Sequence, residues 1–139
     1  MEGTMEIREY TEYREDDIAR LYTEVGWTSY TADLATLRRG FENSLLVLAA
    51  YEGDELLGII RVVGDGETII FIQDIVVFPA HHRKGVGSAL MRAILDRYSN
   101  VRQIELATDN TPKTIAFYTS MGFKEYSEFG CCGFVRQLF

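Results

Sequence analysis

Apolar positions along this chain change their spacing several times, and each change marks a new element. "MEIREYTEY" (Met5–Tyr13) alternates apolar and polar residues and predicts an opening strand, while "EDDIARLYTEV" (Glu15–Val25) sets Ile18, Leu21, Tyr22 and Val25 on one helical face. After Gly26 and Trp27, "TADLATLRRGF" (Thr31–Phe41) repeats the helical pattern with Leu34, Leu37 and Phe41. The period then shortens. "LLVLAAY" (Leu45–Tyr51), "LLGIIRVV" (Leu56–Val63) and "TIIFIQDIVVF" (Thr68–Phe78) are strand-like runs separated by "EGDE" and "GDGE", where Asp65-Gly66 signals a hairpin. These predict a three-strand antiparallel meander. A helix follows with Val86, Ala89, Leu90, Ala93 and Ile94 on one face, and then a short strand, "QIELAT" (Gln103–Thr108). Strand, crossover helix and strand in this order predict a parallel pair, so the sheet is mixed. Thr111 caps a further helix, Pro112 opens it and Gly122 ends it. Two closing strands are expected over "FKEYSEF" (Phe123–Phe129) and "GFVRQLF" (Gly133–Phe139).

These elements make an α+β (α/β/α-like) chain with a mixed, mostly antiparallel sheet of about six to seven strands and helices on both faces. The length of 139 residues suits one domain, taken as residues 1–139, with Met5 read as the natural start and residues 1–4 as a remnant ahead of it. At 47% apolar and 25% charged the composition is that of an ordinary globular protein. No apolar run approaches the length of a bilayer span, so a soluble, cytoplasmic protein with no membrane partner is expected. A net charge of −7 argues against a nucleic-acid partner and leans toward cationic small molecules, or serves solubility alone. Cys131 and Cys132 are neighbours, which suits packing in a reducing compartment better than a disulfide or a metal clip, and no metal is expected. The oligomeric state is left open, a homodimer among the options.

The chemistry concentrates in "FPAHHRKGVGSALMRAIL" (Phe78–Leu95), a basic, glycine-containing turn between a strand and a helix. A helix start leaves backbone N–H groups unpaired beside a partial positive charge and so binds phosphate oxygens. Gly85 and Gly87 let the backbone approach an anion, and Arg83 and Lys84 add charge at the same place. A solvated basic turn with no ligand is the plainer alternative. A Walker loop is disfavoured because Lys84 precedes the glycine, and a Rossmann fingerprint because Leu90 stands where its third glycine belongs.

"DIVVFPAHHRKGVGSAL" (Asp74–Leu90) resembles the Gln/Arg-x-x-Gly-x-Gly/Ala loop of the GNAT superfamily, the GCN5-related N-acetyltransferases, and "IAFYTSMGFKEY" (Ile115–Tyr126) is similar to that family's Phe-Tyr-x-x-x-Gly-Phe segment. The order of elements also looks like that family's fold. Two departures stand out: the family's Gln or Arg is His82 here, and the asparagine often found before the last catalytic helix falls one position early, at Asn110.

What the resemblance implies is transfer of an acetyl group from acetyl-coenzyme A to the primary amine of a small molecule, by direct transfer in a ternary complex. The pyrophosphate would sit on His82, Arg83, Lys84, Gly85, Val86, Gly87 and Ser88, with Asn110 nearby. The thioester would lie along Val76 and Val77, the Val77 N–H serving as oxyanion donor. Tyr118 resembles the tyrosine that protonates the coenzyme thiolate, or is a core aromatic. Asp74 is a candidate base, or bonds a neighbouring group structurally. Trp27, Tyr30 and Gln73 border the implied acceptor cleft, where the two aromatic rings suit an apolar or aromatic amine; a buried structural tryptophan reads equally well. "LLGIIRVVGDG" also looks similar to arylalkylamine acetyltransferases. The alternatives are a coenzyme-binding sensor or interaction module with weak catalysis, and a protein or peptide amine acetyltransferase.

Overall fold

In the computed structural model, which describes residues 4–138, five strands lie side by side in chain order. They are β1 (Met5–Glu9), β2 (Leu46–Glu52), β3 (Glu55–Gly64), β4 (Ile69–Val77) and β5 (Gln103–Leu106). β1 to β4 pair antiparallel, and β5 runs parallel to β4 along Ile69–Ile72 only. The meander and the mixed sheet stand as the apolar pattern predicts. At the β3–β4 turn, Asp65 Oδ1 accepts the backbone N–H groups of Glu67, Thr68 and Ile69 at 2.9, 2.8 and 3.0 Å. With the Thr68 hydroxyl also donating to Oδ2, these bonds hold the carboxyl well below the usual carboxylate range.

The helices are α1 (Glu15–Glu24), α2 (Thr28–Thr31), α3 (Leu34–Glu42), α4 (Val86–Arg97) and α5 (Pro112–Ser120). α2 is a single turn that the apolar spacing does not reveal, since none of its residues is buried. α3 begins at Leu34 because the Asp33 side chain accepts the Thr36 N–H at 3.1 Å. On one face of the sheet Ile18, Leu21 and Tyr22 of α1 and Leu37 and Phe41 of α3 pack with Val47, Ala49, Ile59 and Val76. α4 brings Val86, Leu90, Met91 and Ile94 to the other side, where alternation places Leu48, Ile60, Val62, Ile70 and Ile72. Each such buried side chain contributes roughly 1.5–3 kcal/mol.

One irregularity decides where the chemistry falls. Val62 pairs with Ile72 and Arg61 with Asp74, so one residue on β3 is matched by two on β4, and Gln73 is the extra one. In a regular strand Ile72 and Asp74 would share a face. The bulge turns Asp74 to the α1 side instead and leaves Gln73 exposed. Further along, β3 and β4 approach so closely at Gly58 that a Cβ there would lie 2.6 Å from the Val76 carbonyl oxygen. Only glycine fits.

The chain divides into two compact units, Met1–Ala107 and Thr108–Phe139. In the second, Thr111 caps α5 by accepting the Thr114 N–H at 3.3 Å, Pro112 follows it, and Gly122 sits beyond the helix end at φ +92°. The two closing strands do not form among the described residues, so the sheet has five strands rather than six or seven. Tyr126–Phe129 is a 3₁₀ turn, closed by reciprocal capping between Glu125 and Glu128 and ended by Gly130 at φ +73°. Those local bonds satisfy backbone groups that a strand would have offered to a neighbour. Phe134 and Leu138 are 93% and 89% exposed, and Cys131 and Cys132 are exposed rather than packed. Residues 1–3 and Phe139 lie outside the described residues.

Candidate functional site

β4 outruns its parallel neighbour. β5 pairs with it as far as Ile72, and Gln73–Val77 continue with β3 alone as a strand partner. Phe78 N–H is taken by the Leu57 carbonyl at 3.0 Å, so by the alternation of an antiparallel pair the Val77 N–H and C=O point away from β3. Val76 is buried, and by the same alternation its own N–H and C=O face β3.

The loop beyond is built from backbone rather than side chains. Pro79–His81 forms a 3₁₀ turn, and Arg83 and Gly85 then both adopt left-handed conformations, at φ +66° and +80°. For an arginine that conformation is uncommon, and for glycine it costs little. Gly85 is the N-cap of α4 and provides no side-chain cap. The first backbone bond of this turn runs from Ala89 N–H to Gly85 C=O at 3.0 Å, so the N–H groups of Val86, Gly87 and Ser88 carry no intrahelical partner. Arg83 and Lys84 are exposed beside them. Val86 is buried and can offer only that N–H. His82 Nε2 lies 2.8 Å from the Val77 carbonyl oxygen, and since a carbonyl only accepts, Nε2 carries the proton. His82 thus ties the loop to the last residue of β4.

A second cluster forms where the bulge points Asp74 inward. Asp74 is 2% exposed and accepts three hydrogen bonds: Arg61 Nε–H at 2.8 Å and Tyr22 O–H at 2.9 Å on Oδ2, and Tyr30 O–H at 3.0 Å on Oδ1. Arg61 also donates to the Gly40 carbonyl and the Ser44 hydroxyl, so the buried ion pair is hydrogen-bonded on both sides. Burial pushes the Tyr22 phenol well above its usual value and the Asp74 charge adds to this; Tyr30 is raised by the same two causes in the same order. Burial would lower the Arg61 guanidinium, but Asp74 outweighs it and the net shift is upward. The exposed Gln73 donates from Nε2 to the Tyr30 oxygen at 3.2 Å. Trp27, 36% exposed, stacks edge-on to Tyr22 and tilted to Tyr30, with ring centroids 5.9 and 6.1 Å away.

Of the residues singled out from the sequence, Tyr30, Gln73, Asp74 and Trp27 therefore meet in one cluster, and His82 through Ser88 form a second stretch that His82 ties to Val77. Tyr22 and Arg61 were missed. The signal was present for Arg61: opposite charges interrupt neighbouring apolar runs, "GIIRVV" and "FIQDIV", that a hairpin joins. In the second unit Asn110 is exposed just ahead of the Thr111 cap. Tyr118 lies against Phe117 and Phe123 at 5.0 and 5.9 Å between ring centroids. Burial raises its phenol pKa, a hydrogen bond with Thr108 works the other way, and Asp109 adds to the rise. Among the described residues no group of three or more His, Cys, Asp or Glu could hold a metal ion, and no helix is long and apolar enough to cross a membrane.

The solved structure of the GNAT-family acetyltransferase SP0256 from Streptococcus pneumoniae TIGR4 is 35% identical, with a TM-score of 0.86 over 97% of this chain and 98% of that one. An uncharacterized N-acetyltransferase, ycf52, from Gracilaria tenuistipitata var. liui is 29% identical over 77% of this chain. The chain spans 60% of that relative's length, and 43% of a second curated relative's. AAC(6')-Iy, in complex with the bisubstrate analog CoA-S-monomethyl-acetylneamine, shares the fold at 18% identity and a TM-score of 0.73, covering 98% of this chain and 99% of that one. The profile of the acetyltransferase (GNAT) family matches residues 9–123, and the chain belongs to that family.

Proposed function

We propose that this chain transfers an acetyl group from acetyl-coenzyme A to the primary amine of a small molecule with an apolar or aromatic stem, directly within a ternary complex. The observation that carries this is the run from an unpaired strand edge into a left-handed, uncapped helix start: Gln73–Val77 followed by Arg83 to Ser88. The residues present fit the coenzyme. Gly85 has open space where a Cβ would stand, and three first-turn N–H groups have no intrahelical partner. The N–H groups of Val86, Gly87 and Ser88 would hold the pyrophosphate, and Arg83 and Lys84 would supply positive charge.

Acetyl-coenzyme A supplies the activated acetyl group as a thioester. The Val77 N–H, turned away from β3, is the backbone donor suited to the thioester oxygen as it gains charge. Tyr118 keeps its proton to well above neutral pH, as a group must if it is to protonate the leaving thiolate. Asp74 is buried and already accepts from three donors, one of them the Arg61 cation, so direct collection of the amine's proton by its carboxylate is disfavoured; water takes that proton, and Asp74 orients its neighbours. The rings of Trp27 and Tyr30 favour an apolar or aromatic stem. AAC(6')-Iy with its coenzyme A bisubstrate analog supports a small-molecule amine as the acceptor class.

A panel of amines incubated with acetyl-coenzyme A, read by thiol release, tests the reading. We expect turnover of arylalkyl amines, and in Tyr118→Phe a fall in kcat of roughly 10²- to 10⁴-fold with little change in coenzyme affinity. Coenzyme binding without turnover of any amine would favour a sensor module instead.

A further inference from the structure

We propose that the Tyr30 hydroxyl is the group that receives the acceptor amine, presenting to it an oxygen that can only accept a hydrogen bond. This rests on the acetyltransferase reading and sharpens it from an aromatic wall to one atom with a fixed polarity.

The argument counts protons and lone pairs. A phenol has one O–H to give and two lone pairs to receive. The Tyr30 proton goes to Asp74 Oδ1 at 3.0 Å, and one lone pair receives Gln73 Nε2–H at 3.2 Å. One lone pair is left. Tyr30 cannot reverse this direction, because Asp74 is locked as an acceptor: Arg61 and Tyr22 donate to its other oxygen at 2.8 and 2.9 Å. The remaining lone pair therefore selects a ligand that brings an N–H, and the Asp74 charge behind the phenol strengthens its oxygen as an acceptor.

Position agrees with polarity. Tyr22 makes the equivalent bond to Asp74 but is fully buried, whereas Tyr30 is half-buried and its bond with Gln73 lies at the exposed side. Asp74 is 2% exposed with both oxygens engaged, so it reaches an acceptor only through Tyr30. The bulge at Gln73 makes the arrangement possible, since it puts successive residues of β4 on opposite sides of one hydroxyl, Asp74 within and Gln73 without. Trp27, tilted against the Tyr30 ring, then offers its exposed part to the amine's stem. Tyr30 is thus a specificity-determining contact, and Asp74 and Gln73 are positioning residues.

The test compares the parent and Tyr30→Phe with two ligands: phenethylamine as substrate, and its N,N,N-trimethyl analogue as competitive inhibitor. The second keeps the cation and the ring but has no N–H to give. In Tyr30→Phe we expect the KM for phenethylamine to rise about 10- to 100-fold, as for loss of a hydrogen bond to a charged donor. The KM for acetyl-coenzyme A and the Ki of the trimethyl analogue should stay within about twofold, because neither uses that lone pair. Unchanged values for both amine ligands, or equal rises in both, would overturn the proposal, the latter by showing that the hydroxyl only supports the cleft's shape. A parent that acetylates no amine would overturn the acetyltransferase reading and this proposal with it.

Discussion

The two clusters at the β4 end of the sheet are built by opposite means. The loop from His82 to Ser88 is exposed as far as Gly85, drawn from consecutive residues, and offers mainly backbone N–H groups at a helix start. The Asp74 cluster is buried, drawn from α1, α2, β3 and β4, and consists of side chains that satisfy one another. Backbone groups need no partner to hold their direction once the glycine conformation is set. A buried carboxylate needs every partner it has, because an unpaired charge in the core is costly. One region should therefore tolerate side-chain change and the other should not.

The strongest way to break that contrast is at Arg61. Arg61→Ala leaves Asp74 with two phenol donors and no cation, and should cost about 3–5 kcal/mol in denaturant unfolding. Arg83→Ala removes an equal charge from the loop and should stay within about 0.5 kcal/mol, because that side chain is in water. Replacing the buried pair together with the phenol that depends on it, Arg61→Met, Asp74→Leu and Tyr22→Phe, should recover most of the lost stability while ruining amine affinity. If the two single variants are equally stable, the cluster is not the structural keystone inferred from its bonding.

Alkaline titration separates the regions more gently. Burial, first of all, raises Tyr22 and Tyr30, and by the same cause Tyr10 is pushed up to about 12. A phenol whose folded pKa exceeds its unfolded value of about 10 holds its proton more tightly in the fold. Its contribution is therefore complete below about pH 10 and is lost as the pH climbs through the folded value. We expect a flat unfolding midpoint up to about pH 10 and a steep fall above it, with phenolate absorbance from the buried tyrosines appearing together with unfolding. The loop contains no phenol. Tyr22→Phe should flatten the alkaline limb; a limb of unchanged slope would show that the cluster does not govern it.

This difference in construction also explains what could be read from the sequence. The loop was legible because its chemistry is local: a strand pattern, Pro79, Gly85, Gly87 and a helical pattern follow one another within a dozen or so residues. The meander was legible because period-2 runs broken by "EGDE" and "GDGE" specify hairpins by themselves. The Asp74 cluster was only half legible. Asp74 and Tyr30 could be named, but a base was as good a reading as an anchor, since the Gln73 bulge that turns Asp74 toward Tyr22 depends on the register between two strands. The closing strands failed for a related reason. Alternation shows that "GFVRQLF" could line a sheet, whereas pairing requires a neighbour with free backbone groups, and the capping bonds of Glu125 and Glu128 had already turned the chain into a 3₁₀ turn ahead of it.

The smallest expected effect concerns His82, an exposed loop side chain that ties back to the sheet. Its Nε2–H bond to the Val77 carbonyl, at 2.8 Å, links the loop proposed to hold the pyrophosphate to the strand residue whose N–H is proposed to meet the thioester. The bond is solvent-exposed, so its net worth is about 0.5–1.5 kcal/mol. His82→Ala should then weaken acetyl-coenzyme A binding by roughly 2- to 10-fold, through a looser loop rather than a lost ligand contact. His82→Gln brings an amide N–H on a chain of similar reach and restores one of the residues that the family carries there, so its affinity should lie within about twofold of the parent. Calorimetric titration of the coenzyme into the three proteins makes the comparison. An alanine variant equal to the parent would mean that Arg83 and Gly85 hold the loop through their own left-handed backbone. A glutamine variant as weak as alanine would mean that the imidazole ring, not its N–H, is what the loop requires.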